Sequence, residues 1–247
     1  VTAAAALTVG DQYGYAVPAD NSFNFLREFF MFLSGMDTPW ISDGAWNFTD
    51  PAVVEAADTY RRLARDYAPQ GTDSNQKREA FYNGSVAMMV DSPNIIARIA
   101  ELAPPEIAKD LHVAPMPFVK PPGNVGLGMG MAAGLDPSVE AMAWQFIEFI
   151  HSQDAMSELA RLAQTTVARP EANAVLQGNR DGDLSVLAAE NVATGLFPAS
   201  ASGMRSKFPD FQSTATDVLH RLLVSDESTE DILADVQRQL EAQGIVP

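Results

Sequence analysis

A few stretches of this sequence hold residue types whose spacing could do chemistry. The first is Gly126-Leu127-Gly128-Met129-Gly130, where small residues would let a ligand reach the backbone. A dinucleotide loop needs G-x-G-x-x-G at the mouth of a helix. Here the spacing is G-x-G-x-G, and the next helix start is Asp136. Close approach of the backbone at Gly128 and Met129 to a ligand or a neighbouring strand is the better account. The second stretch, Asn179-Arg180-Asp181-Gly182-Asp183 with Glu190 further on, imitates a calcium loop. Leu184 stands where that loop's sharp turn requires glycine, so helix capping explains the acidic residues better. The histidines His112, His151 and His220 have no metal-ligand spacing, and no Ser-His-Asp order or nucleophile elbow accompanies them. Trp40 and Trp46 lie in a loop rich in Gly, Pro and Asp. Such a loop could present an aromatic face to a sugar, although packing against a helix is the commoner fate of tryptophan.

The elements that must position these residues are legible from caps and periodicity. Tyr13–Pro18 reads as a short strand closed by proline. Asn21 or Ser22 caps a helix through about Leu33, which Gly35 ends. Asp50-Pro51 opens another, because the carboxylate accepts from free amides and proline suits the first helical position. Val53, Ala56, Ala57, Tyr60, Leu63, Ala64 and Tyr67 then share one face, with Arg61, Arg62 and Arg65 outward. A shorter helix over about 75–82 ends at Asn83-Gly84, and Val86–Val90 reads as a strand stopped by Asp91-Ser92-Pro93-Asn94. A helix from there to Leu102, a strand at His112–Met116 and a strand at Gly128–Ala133 follow. Asp136-Pro137 opens a helix with Ala143, Phe146, Ile147 and Ile150 inward, and the remainder is helical, with stripes at Phe211–Leu223 and Ile232–Leu240. Strands alternating with helices predict an α/β fold.

Composition limits the function. With 16 Lys plus Arg against 32 Asp plus Glu, the net charge is -16 over 247 residues. That field repels nucleic acid and anionic lipid. Absence of cysteine removes disulfides, thiol nucleophiles and zinc-thiolate sites. The longest apolar run, Phe29–Leu33, falls far short of the ~20 residues of a spanning helix. Val1–Val9 is apolar but has no basic n-region or cleavage site, so an export signal would lie outside this sequence.

The order of these pieces resembles the maltodextrin-type solute-binding proteins of carbohydrate ABC importers. Three stretches carry the likeness. Glu79–Pro93, with Phe81, Gly84, Ala87, Met88 and Pro93, is similar to a strand that enters the family's ligand cleft. Val113–Pro117, Gly126–Gly130 and the Ala141–Ile147 helix form the second, and Ala168-Arg169-Pro170 the third. The resemblance implies a periplasmic-binding-protein-like fold of two α/β lobes with ligand between them. On that template about 13–120 and 197–247 belong to the second lobe, and about 125–175 returns to the first. Most of the first lobe's N-terminal sequence is then expected outside this chain, as a missing part or a separate half.

The same resemblance implies a function. Asp20, Asn21, Ser22 and Phe23 follow the first strand, where the family places polar and aromatic contacts. Asp91, Ser92 and Asn94 follow the next cleft strand, and Phe211 falls near another aromatic contact with Arg205 close by. Together with Trp40, Gly128 and Met129 they are the expected ligand-binding residues. The implied partners are a sugar or polyol and the permease subunits of an ABC importer, with no cofactor. The implied location is periplasmic or extracellular, and a removed N-terminus leaves room for a lipid anchor. Two other readings remain open on the residues: a glycoside hydrolase using Asp20 and Asp91 as its carboxylate pair, and a ligand-free structural module. Alone, the chain is expected to self-associate through residues 125–170.

Overall fold

The computed structural model describes residues 1–120, 129–178, 183–184, 186–187 and 207–247. The chain divides into two compact units, one of Val1–Val90, Met116–Gly123 and Gly195–Pro247, the other of Asp91–Pro115 and Asn124–Thr194.

In the first unit the helices start where local chemistry directs. Ser22 caps α2 (Phe23–Gly35), accepting from the Phe25 amide. Asp50 caps α3 (Pro51–Tyr67) through the Ala52 amide, with Pro51 in the first turn. Asp73 and Gln76 form a reciprocal capping box on α4 (Ser74–Tyr82), which starts it one residue before the expected position. A short helix, α1 (Thr2–Leu7), precedes them. Between α2 and α3, β1 (Ile41–Ser42) and β2 (Ala45–Trp46) pair antiparallel, Ile41 opposite Trp46. Their turn is Asp43-Gly44 with both residues at positive φ, a hairpin signal that the sequence carried unread.

The core lies where α2 and α3 meet the C-terminal helices. α2 buries Phe25, Leu26, Phe29, Phe30, Phe32 and Leu33, and α3 buries Val53, Ala56, Ala57, Tyr60, Leu63 and Ala64. Near the C-terminus come α9 (Phe208–Leu219), α10 (Arg221–Val224) and α11 (Thr229–Ala242) — numbered after the second unit's helices below — with Leu219, Leu222, Ile232, Val236 and Leu240 inside. Arg61 and Arg65, expected to point outward, both reach the chain between α10 and α11. Arg61 donates to the Ser225 carbonyl at 2.7 Å and that of Glu227 at 2.6 Å, and Arg65 to Ser225 at 2.9 Å. The α10 carbonyl end thereby gains cationic partners.

The expected strands are mostly reduced to isolated pairings. Tyr13 and Ala16 bridge Val86 and Met89 in parallel. Between them the Tyr15 amide turns instead to the Tyr67 carbonyl at 3.0 Å, which interrupts a ladder. His112–Met116 forms no strand, and neither do the described residues Met129–Ala133. No described neighbour offers them a ladder, and pattern alone cannot supply one.

The described regular elements of the second unit are helices. Its 3₁₀ segment Pro93–Arg98, rather than the expected α-helix, leads into α5 (Ile99–Leu102), and α6 (Pro105–Ala108) follows. α7 (Pro137–Ile150) is capped by Asp136 and α8 (Gln153–Ala163) by Ser152. α8 packs on the 3₁₀ segment Pro170–Leu176, burying Met156, Ala160, Ala172 and Leu176. α7 buries no residue. Phe146, expected inward, is 54% exposed, and Phe149 is 65% exposed.

Candidate functional site

Among the expected ligand-binding residues, the loop before α2 gives the best-defined arrangement. The Ser22 hydroxyl donates to Asp20 Oδ1 at 2.9 Å, and the Ser22 amide to the Asp20 carbonyl at the same distance. Two bonds to side chains at the end of α9 and just beyond it hold this turn. Asn21 Nδ2 donates to Asp217 Oδ1 at 3.0 Å, and His220 Nε2 lies 3.1 Å from the Ala19 carbonyl. Phe23, the first residue of α2, stands 40% exposed. Its ring meets Phe208 edge to face, with centroids 5.9 Å apart and an interplanar angle of 83°.

This places an exposed aromatic corner, Phe23 with half-buried Phe208, beside the polar side chains of Asp20, Asn21 and Asp217. Asn21 gives one amide hydrogen to Asp217 and keeps its carbonyl oxygen and second hydrogen. Asp20 and Asp217 each keep a second carboxylate oxygen outside these bonds. A flat apolar face next to acceptors in a plane suits the C–H side and the hydroxyls of a sugar or polyol. Phe208 and Asp217 were not singled out from sequence. Phe208 sits three residues before Phe211, one helical turn further out, and that spacing was the available signal.

The loop Asp91–Asn94 belongs to the second unit. Asp91 Oδ1 accepts from the Ser92 amide at 2.8 Å, and the Ser92 hydroxyl donates to Asn94 Oδ1. Ser92 occupies the cap position of the Pro93–Arg98 segment without a side-chain cap bond, so its hydroxyl serves the loop. Asn94 is exposed, and Asp91 and Ser92 are half-buried.

Two aromatics expected at the ligand are core residues instead. Trp40 is 8% exposed, 4.7 Å from the Phe30 ring, with its indole N–H donated to Ser34 Oγ at 3.2 Å. Phe211 is 3% exposed and stacks on Trp46 at 5.6 Å. Large rings gain more by burial than by display. Phe211 supports Phe208 from behind, their rings 6.2 Å apart. Met129 is exposed outside any element. Gly128, Arg205 and the calcium-loop look-alike at Asn179–Gly182 and Glu190 lie outside the described residues. His151 bonds the Ile147 carbonyl at 2.8 Å, a helix-end role. Among the described residues no group of three His, Asp or Glu could hold a metal ion, and no helix is long and apolar enough to cross a membrane.

Comparison with known proteins identifies the fold and the family. Three solved structures share the architecture. The maltose-bound MalE3 of T. maritima superposes with a TM-score of 0.76 at 18% identity, over 94% of this chain and 61% of its own. A ribitol complex of an ABC transporter solute-binding protein from Agrobacterium radiobacter gives 0.76 at 18% identity, over 98% and 63%. UgpB from Mycobacterium tuberculosis with glycerophosphocholine gives 0.73 at 16%, over 96% and 59%. The chain therefore has the fold of the periplasmic binding proteins and spans about three fifths of the length of these relatives. No curated protein matches it in sequence. The model of the family described as bacterial extracellular solute-binding protein matches residues 1–185, and the chain belongs to that family.

Proposed function

We propose that this chain supplies one wall and part of the framework of a binding protein that carries a neutral sugar or polyol to the permease of an ABC importer. In this reading 13–120 and 197–247 build the second lobe and 125–175 returns to the first. The observation that carries the proposal is the Phe23–Phe208 corner beside Asn21, Asp20 and Asp217. Two ligands named for the structural relatives, maltose and ribitol, are hydroxyl-rich and support it, and a third, glycerophosphocholine, carries hydroxyls on its glycerol end. Ligand is bound and released unchanged, so Asp20 acts as a hydrogen-bond acceptor and not as one of a hydrolytic pair. Asp91, Ser92 and Asn94 are proposed as further contacts.

The experiment is a thermal-shift series with maltose, ribitol and glycerophosphocholine, alongside a peptide and zinc as counter-probes. A ligand held only by the folded state adds about 2.7 kcal/mol at a hundred times its Kd, which raises the midpoint. A shift with a sugar or polyol, and maltose recovered intact after prolonged incubation, supports the reading. Shifts with peptide or zinc alone would remove it, and released glucose would turn it towards hydrolysis.

A further inference from the structure

Among the ion pairs of the first unit's described residues, one is buried, and the site described above does not use it. Lys77 of α4 is 2% exposed, and its Nζ lies 3.0 Å from Glu28 Oε2 of α2 and 2.8 Å from the Val90 carbonyl. Burying an ammonium and a carboxylate costs free energy that their mutual attraction only partly returns. Apolar residues of similar size would stabilise this core at least as well. The pair therefore needs a reason other than stability.

Its contact with Val90 supplies one. Val86 and Met89 are bridged to Tyr13 and Ala16, but the pairing stops there. The next carbonyl, that of Val90, is met by the Lys77 ammonium instead of a neighbouring strand. Val90 is half-buried, a carbonyl partly withdrawn from water gains from a donor, and a charged donor binds roughly twice as strongly as a neutral one. Val90 is also the last residue of the first unit before Asp91. Fixing its carbonyl plane fixes where the next peptide, and so Asp91-Ser92, begins. The same pair is rooted in α2, whose first residue is Phe23. Glu28 stands five residues along from Phe23, about 7.5 Å on a rigid helix. Nearby Tyr15 and Tyr60 line this region, and burial followed by the charge of Glu28 raises both phenols well above their ordinary value. They stay neutral and add no competing charge.

We propose that Glu28 and Lys77 are positioning residues that hold the Val90 carbonyl and thereby set the Asp91–Asn94 loop for ligand. The role in binding rests on the reading of that loop as part of the site, whereas the positioning does not. The pair touches no ligand and acts through the backbone.

The test is hydrogen exchange, read by mass spectrometry, on the full chain and two variants. Lys77→Met leaves a buried carboxylate and is expected to lower stability as well as free the loop. The double variant Glu28→Leu/Lys77→Met removes both charges and is expected to keep the wild-type denaturation midpoint. In that double variant the amides of Ser92 and Asn94–Arg98 should exchange roughly tenfold faster, the change that losing one net hydrogen bond implies, with α3 and α11 unchanged. Unchanged exchange at 92–98, or equal acceleration everywhere, would overturn the proposal. Repeating the measurement with saturating maltose or ribitol separates the two readings. Ligand protection of Asp91–Asn94 in the wild type that weakens in the double variant supports both. A loop freed by the double substitution but protected by neither sugar confirms the positioning and removes the loop from the site.

Discussion

The helices α3 and α7 begin with the same dipeptide and end differently. Asp50-Pro51 and Asp136-Pro137 each put a carboxylate on the second helical amide and proline in the first turn. Yet α3 buries its apolar face from Val53 to Ala64, whereas α7 has no fully buried residue, only half-buried Ala143, Ile147 and Ile150, although its sequence is the more apolar. A helix start is a local matter of a few backbone amides. Burial needs a partner surface, which α2 and α11 provide for α3. Among the described residues nothing comparable covers Met142, Phe146 and Phe149.

The largest expected effect breaks this symmetry by truncation. Phe25→Ala removes a fully buried ring that packs on Phe29 and Tyr60, and should cost about 3–5 kcal/mol. Phe146→Ala, on the exposed face, should change stability by no more than about 0.5 kcal/mol. Urea denaturation of both variants checks the contrast, and equal losses would show that α7 is packed after all.

Next in size is association. An exposed stripe of Met142, Phe146 and Phe149, with Leu159 and Leu162 of α8, is the kind of patch that brings copies together. Light scattering of the chain should show oligomers at raised concentration. Met142→Glu, Phe146→Glu and Phe149→Glu combined should return a monomer with the urea midpoint unchanged. Persistence of the oligomer would place the contact elsewhere.

Caps should give smaller and nearly equal effects, because both helices use the same one. Asp50→Ala is expected to cost about 1 kcal/mol. Asp136→Ala should melt the first turn of α7 to the same degree, seen as faster exchange there rather than as a shifted midpoint. The smallest effect concerns Tyr60, whose buried hydroxyl has no hydrogen-bond partner among the described residues. Tyr60→Phe should be neutral or stabilising by up to about 1 kcal/mol, and a clear loss would reveal a partner or a bound water.

The same division explains what the sequence disclosed. Helix starts at Ser22, Asp50 and Asp136 were legible because each depends on neighbours within one turn. So was the polar turn at Asp20–Ser22, as the approach to that first cap. The strands were not, since a ladder depends on partners far along the chain, and Tyr15 gives its amide to Tyr67 instead. Nor was the choice between display and burial for the aromatics. Phe211 and Phe208 read alike on a helical stripe, and only the packed position of Trp46 decides that Phe211 goes inside. Asp217 joins the candidate site through Asn21, a contact between residues on separate elements that no local pattern announces.

The central claim is that the Phe23–Phe208 corner and its polar neighbours hold a hydroxyl-rich ligand. Isothermal calorimetry tests it most directly, with maltose, ribitol and glycerophosphocholine titrated into the chain and into Phe23→Ala and Asn21→Ala variants. The account predicts binding of at least one of these ligands. It also predicts that each substitution weakens that binding by about 1–3 kcal/mol, through lost ring contact or lost hydrogen bonds, with no change in fold by circular dichroism. Heat from none of the three, or affinity untouched by both substitutions, would contradict it.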